Sequence, residues 1–92
     1  MSKILIIEDE RDIEELLRFF LEDSGYEIAV ARDGLEGITA FQKDRYDLIL
    51  LDIMLPKIDG FAVCELIRKE SNIPVIMTGK KERMKSGCWP AI

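Results

Sequence analysis

Two stretches of this chain, Ile4-Leu5-Ile6-Ile7 and Leu48-Ile49-Leu50-Leu51, are unbroken apolar runs that stop at carboxylates, Glu8-Asp9 after the first and Asp52 after the second. A strand with one wet face alternates polar and apolar residues. A run without alternation has both faces covered, as in a parallel sheet with helices on either side. The intervening segments supply those helices. Ile13, Leu16, Leu17, Phe20 and Leu21 recur at helical spacing and end at Ser24-Gly25, with glycine at the C′ position. Tyr26 to Ala31 reads as a second strand. Asp33-Gly34 opens a helix carrying Leu35, Ile38 and Phe41, weakened by Gly37 inside it. Asp59 caps a third helix that turns Phe61, Cys64 and Ile67 inward with Val63 beside them, and Ser71-Asn72 closes it. Pro74 to Thr78 is a fourth strand. Beyond Gly79 the pattern gives way to a basic stretch, Lys80 to Lys85, in which Ser86-Gly87 limits any helix to a turn or two, and no further strand is legible.

Strands alternating with helices predict right-handed βαβ units and an α/β fold. The 92 residues, 48% of them apolar and 34% charged, suffice for one small domain. A formal net charge of −5 disfavours direct nucleic-acid binding and attraction to anionic lipid. No apolar run approaches the roughly 20 residues that span a bilayer. The start lacks a cleavable leader, so the chain reads as cytoplasmic, without a membrane partner. Two cysteines, Cys64 and Cys88, are too few for a disulfide framework or a metal cluster and read as reduced structural thiols. The absence of histidine removes Ser-His and Cys-His catalysis. Carboxylate chemistry remains.

In open parallel sheets the working site lies beyond the carboxyl ends of strands, where the winding reverses. Glu8, Asp9, Asp52 and Thr78 all fall at such ends. Crowding three acids there raises a pKa or demands a cation. Mg2+ suits a site of few carboxylates that keeps waters and admits a phosphate oxygen, whereas Ca2+ wants more protein ligands. With phosphate charge shielded, an aspartate such as Asp52 can act as nucleophile and form an aspartyl phosphate. Spacing alone equally allows a plainer reading, in which Glu8 and Asp9 are acids favoured at a helix N-terminus and Asp52 starts or caps a loop.

The segment Leu50-Leu51-Asp52-Ile53-Met54-Leu55-Pro56-Lys57-Ile58-Asp59-Gly60-Phe61 resembles the phosphoacceptor strand and loop of bacterial response-regulator receiver domains. Within that family it is most similar to the subgroup whose intact members carry a winged-helix DNA-binding domain and regulate transcription. Lys3 to Glu10 resembles the acidic-pair strand, and Ala31-Arg32-Asp33-Gly34 the entry to the second helix. The resemblance implies a flavodoxin-like doubly wound parallel sheet of order 2-1-3-4, with the family's fifth strand and last helix missing. It implies a phosphorelay module, not an enzyme, in which Asp52 takes a phosphoryl group from a sensor histidine kinase with Mg2+ as cofactor. Asp9 with Glu8, Asp52 and the backbone carbonyl of Met54 would hold the metal, and Thr78 would be the switch hydroxyl. Pro56 and Asp59-Gly60 match the active-site loop.

Two departures set further expectations. Val75-Ile76-Met77 is one apolar residue shorter than in relatives, and a one-residue slip would turn Thr78 away from Asp52 unless a bulge or shifted strand end restores it. From Gly79 onward the resemblance stops. Residues 1–78 therefore read as an incomplete receiver domain and 79–92 as an atypical tail from truncation or a frameshift. An unpaired fourth strand would leave a sheet edge open to self-association, and a missing helix would uncover one sheet face. The alternative function is a non-phosphorylated fragment, inactive or docking a sensor kinase. A haloacid-dehalogenase-like phosphohydrolase would want a second aspartate where Met54 stands.

Overall fold

Residues 2–52, 55 and 58–78, with the backbone of 89–90, are described by a computed structural model of the chain. The two apolar runs become the central strands of a parallel sheet. In chain order the elements are β1 (Lys3–Ile7), α1 (Arg11–Asp23), β2 (Glu27–Ala31), α2 (Gly34–Lys43), β3 (Leu48–Asp52), α3 (Gly60–Glu70), β4 (Val75–Thr78) and β5 (Trp89–Pro90). The sheet order is β2-β1-β3-β4-β5, every pairing parallel, so the expected 2-1-3-4 arrangement is present. The winding reverses at β1 and β3, which places their carboxyl ends side by side.

Local chemistry ends each helix where the sequence predicts. Gly25 takes φ 97° and closes α1 with two reversed hydrogen bonds, Gly25 N–H to the Glu22 carbonyl at 3.0 Å and Tyr26 N–H to the Leu21 carbonyl at 3.1 Å. The Asp33 carboxylate accepts from Glu36 N–H at 2.9 Å to cap α2, and Asp59 accepts from Ala62 N–H at 2.9 Å to cap α3.

Alternate residues of the central strands face two different environments. Leu5, Ile7, Ile49, Leu51, Val75 and Met77 form the core with Phe61, Val63, Cys64 and Ile67 of α3. On the opposite face Ile4 and Ile6 are buried, but Leu48, Leu50 and Ile76 are only half covered. The apolar arc of α1 is wider than the sheet it meets. Leu17 and Leu21 are half-buried, while Ile13, Leu16 and Phe20 are exposed.

Gly37 is explained by packing, not flexibility. A Cβ there would stand 2.5 Å from Ile7 Cδ1 and 2.9 Å from Ile7 Cγ1, and Ile7 is fully buried. Alanine would gain about 1 kcal/mol of helix propensity against an overpacking cost of about 1–3 kcal/mol. Gly37→Ala should therefore lower the urea midpoint, and a raised midpoint would show that β1 yields easily.

Two expectations need correction. A fifth strand exists, although none was legible: Trp89 pairs with Ile76 and Pro90 with Met77. Two residues are too few to show a period, and Pro90, without an N–H, cannot extend the ladder. β4 is thus paired along part of its outer side. Cys64 is disulfide-bonded instead of reduced. Cysteine spacing does not show which thiols a fold brings within bonding distance. Lys80 to Lys85 lie outside the described residues, and among the described residues no helix follows β4.

Candidate functional site

The end of β1 and the end of β3 converge. β1 finishes at Ile7 and Glu8-Asp9 follow it, while Asp52 is the last residue of β3. One carboxylate oxygen from each of Glu8, Asp9 and Asp52 lies within 4.8 Å of the others. Glu8 and Asp52 are buried and Asp9 is exposed, so the cluster opens to solvent on the Asp9 side.

Glu8 is held from both ends. Its backbone N–H donates to the Ala31 carbonyl at 3.0 Å, and its Oε2 accepts from Glu10 N–H at 3.3 Å. Burial, then the hydrogen bond to Asp52 and the charge on Asp52, push the Glu8 carboxyl up to about 7. The Glu8 carboxyl therefore keeps its proton for a large part of the time near neutrality. This is the electrostatic signature of acids assembled against their mutual repulsion.

Thr78 stands opposite Asp52 in the β3–β4 register, and paired residues of a parallel ladder share a sheet face. Thr78 is half-buried. Met54 and Pro56 fall outside the described residues, whereas Asp59 is fixed as the α3 cap.

A buried carboxylate escaped the reading of the sequence. Glu14 is 2% exposed and lies 3.1 Å from Arg32, at the start of the loop after β2. A signal was present: Glu14, Leu17 and Leu21 are spaced i, i+3, i+7, the stripe that turns inward.

Residues 4–87 match the response regulator receiver domain family. The chain belongs to that family. It is 48% identical over 76 residues to a probable transcriptional regulator, ycf27, of Cyanophora paradoxa, covering 83% of this chain and 32% of that protein. It is 46% identical over 78 residues to the transcriptional regulatory protein YcbL of Bacillus subtilis, covering 85% and 34%. The receiver domain thus spans about a third of the curated relatives it matches. Among solved structures it resembles the response regulator TrrA of Thermotoga maritima in complex with Mg2+ and BeF, with TM-score 0.84, 38% identity, and coverage of 89% of this chain and 72% of that one. It also resembles a structure of histidine kinase ThkA in complex with TrrA, with TM-score 0.85, 33% identity, and coverage of 100% and 87%. Among the described residues, no helix of the receiver domain is long and apolar enough to cross a membrane.

Proposed function

We propose that this receiver domain is a phosphoacceptor of a two-component phosphorelay, with Asp52 as the residue that carries the phosphoryl group. The observation that supports this most is the three-carboxylate cluster at adjacent strand ends, with Glu8 pushed up to about 7 by burial and by Asp52. In this reading Glu8, Asp9 and Asp52, with the Met54 carbonyl, would hold Mg2+, which would supply shielding of the phosphoryl charge. An Asp52 carboxylate oxygen attacks phosphorus, the bond to the donor's leaving group breaks, and that group departs with the electron pair and takes a proton. The donor is a sensor histidine kinase, as the complex of the TrrA relative with ThkA suggests. In this reading Thr78 is the switch hydroxyl, and its register opposite Asp52 supports that role. A bound cation would displace the proton on Glu8 and would offset the mutual repulsion of the three carboxylates.

The role is that of a signalling module in the cytoplasm, with residues 1–78 as the receiver unit and 79–92 as an atypical tail into which the family match continues as far as residue 87. The negative net charge argues against direct nucleic-acid binding by this chain. The half-covered Leu48, Leu50 and Ile76, together with the exposed Ile13, Leu16 and Phe20, favour self-association at high concentration.

Beryllofluoride binding tests the reading. Calorimetry should show saturable, one-to-one binding that requires Mg2+ and disappears with Asp52→Asn. A folded chain that binds no beryllofluoride with Mg2+ would instead support the kinase-docking fragment.

A further inference from the structure

The carboxylate of Glu14 is placed where an apolar residue would be the simpler choice. Its Oε1 lies 3.1 Å from Arg32 Nη2, its Oε2 lies 3.9 Å from Arg18 Nη1, and Oε2 has no hydrogen-bond partner. Burying the Glu14 carboxylate costs desolvation that packing alone does not require, even though Arg32 keeps 42% of its side chain exposed, and a well-packed apolar side chain often serves stability as well or better.

The connections around the pair lead back to Glu8. Glu8 N–H donates to the Ala31 carbonyl at 3.0 Å, and Arg32 is the next residue. Arg32 pairs with Glu14 at 3.1 Å. Glu14 N–H donates to the Glu10 carbonyl at 3.0 Å, and Glu10 N–H donates to Glu8 Oε2 at 3.3 Å. The ring closes on the residue where it began. Of its links, Glu14–Arg32 alone joins two side chains. Arg32 is itself braced, because Glu36 Oε1 accepts from its backbone N–H at 3.0 Å and Glu36 N–H donates to the α2-capping Asp33 at 2.9 Å. Moving α1 relative to the loop after β2 would therefore shift Glu10 and, with it, the Glu8 carboxylate.

We propose that Glu14 and Arg32 are a positioning pair that orients Glu8 for the metal, and so sets the affinity of the acidic cluster for Mg2+. The proposal rests on the reading of that cluster as a Mg2+ site. Outer contacts that orient metal ligands are commonly worth tenfold or more in affinity.

Calorimetric titration of the full chain with MgCl2 tests it, alongside urea unfolding of each variant. Glu14→Met should leave the urea midpoint unchanged or raised and weaken Mg2+ binding about tenfold. A merely structural pair would move stability and leave Mg2+ affinity alone. Arg32→Lys serves if Glu14→Met does not fold, since a single ammonium keeps the charge but not the guanidinium fork. It should weaken binding about tenfold. Parent-like Mg2+ affinity in folded Glu14→Met, or in Arg32→Lys if Glu14→Met is unfolded, would overturn the pair's role. A parent chain that binds no Mg2+ would overturn the metal-site reading together with it.

Discussion

Asp52→Asn should abolish the Mg2+-dependent gain of a phosphoryl group from acetyl phosphate, while making the metal-free chain more resistant to urea near neutral pH. Both effects come from one oxygen. An amide at 52 keeps the shape of the carboxylate but supplies neither its nucleophilicity nor its charge. The same charge is what Glu8 pays against: after burial, Asp52 is the main reason the Glu8 carboxyl stands at about 7. Removing it should let Glu8 ionise at lower pH, a gain on the order of 1 kcal/mol for each pKa unit recovered. Intact mass spectrometry reads the first effect and urea midpoints read the second. Equal mass gain in parent and variant would exclude Asp52 as the sole acceptor. The opposed signs matter, because a residue kept at a cost to stability is kept for function.

The second large effect is a reversal of pH dependence by Mg2+. Without metal, the Glu8 carboxyl rises from its ordinary 4.5 to about 7 on folding. A group whose pKa is raised in the folded state contributes stability that is fully present below 4.5 and lost as pH climbs through about 7. In EDTA, the urea midpoint should therefore fall between about pH 5 and about pH 8. Asp44, exposed and held down chiefly by its hydrogen bond with Lys3, acts with the opposite sign, but at the acid end of the scale. With saturating Mg2+, the ionised cluster is the form bound, so stability should rise across the same interval. A midpoint that falls equally with and without Mg2+ would separate Glu8 from any metal.

The parts of the fold that could be read in the sequence are those set by local rules. Unbroken runs at Ile4–Ile7 and Leu48–Leu51 mark the central parallel strands, although one face of β3 is only half covered, and Gly25, Asp33 and Asp59 end or begin helices through hydrogen bonds within a few residues. The carboxylates were legible for the same reason, since each ends a strand whose position in the winding follows from topology. What escaped depends on distant partners. β5 exists only through pairing with Ile76 and Met77, so Trp89-Pro90 carries no pattern of its own. The outward flank of α1 follows from how little of Ile13, Leu16 and Phe20 the sheet covers, which helical periodicity cannot show. The disulfide at Cys64 and the ring through Glu14 and Arg32 are also matters of spatial neighbours. The pairing of Thr78 with Asp52 likewise depends on the register of β4 against β3, which the length of an apolar run does not fix.

Crystals grown with Mn2+ in place of Mg2+ would test the central claim most directly, because the cation can be located by its own anomalous scattering. The account predicts one strong peak among the carboxylates of Glu8, Asp9 and Asp52. A folded chain whose only peaks lie away from these strand ends, at cation concentrations that saturate binding in solution, would contradict it.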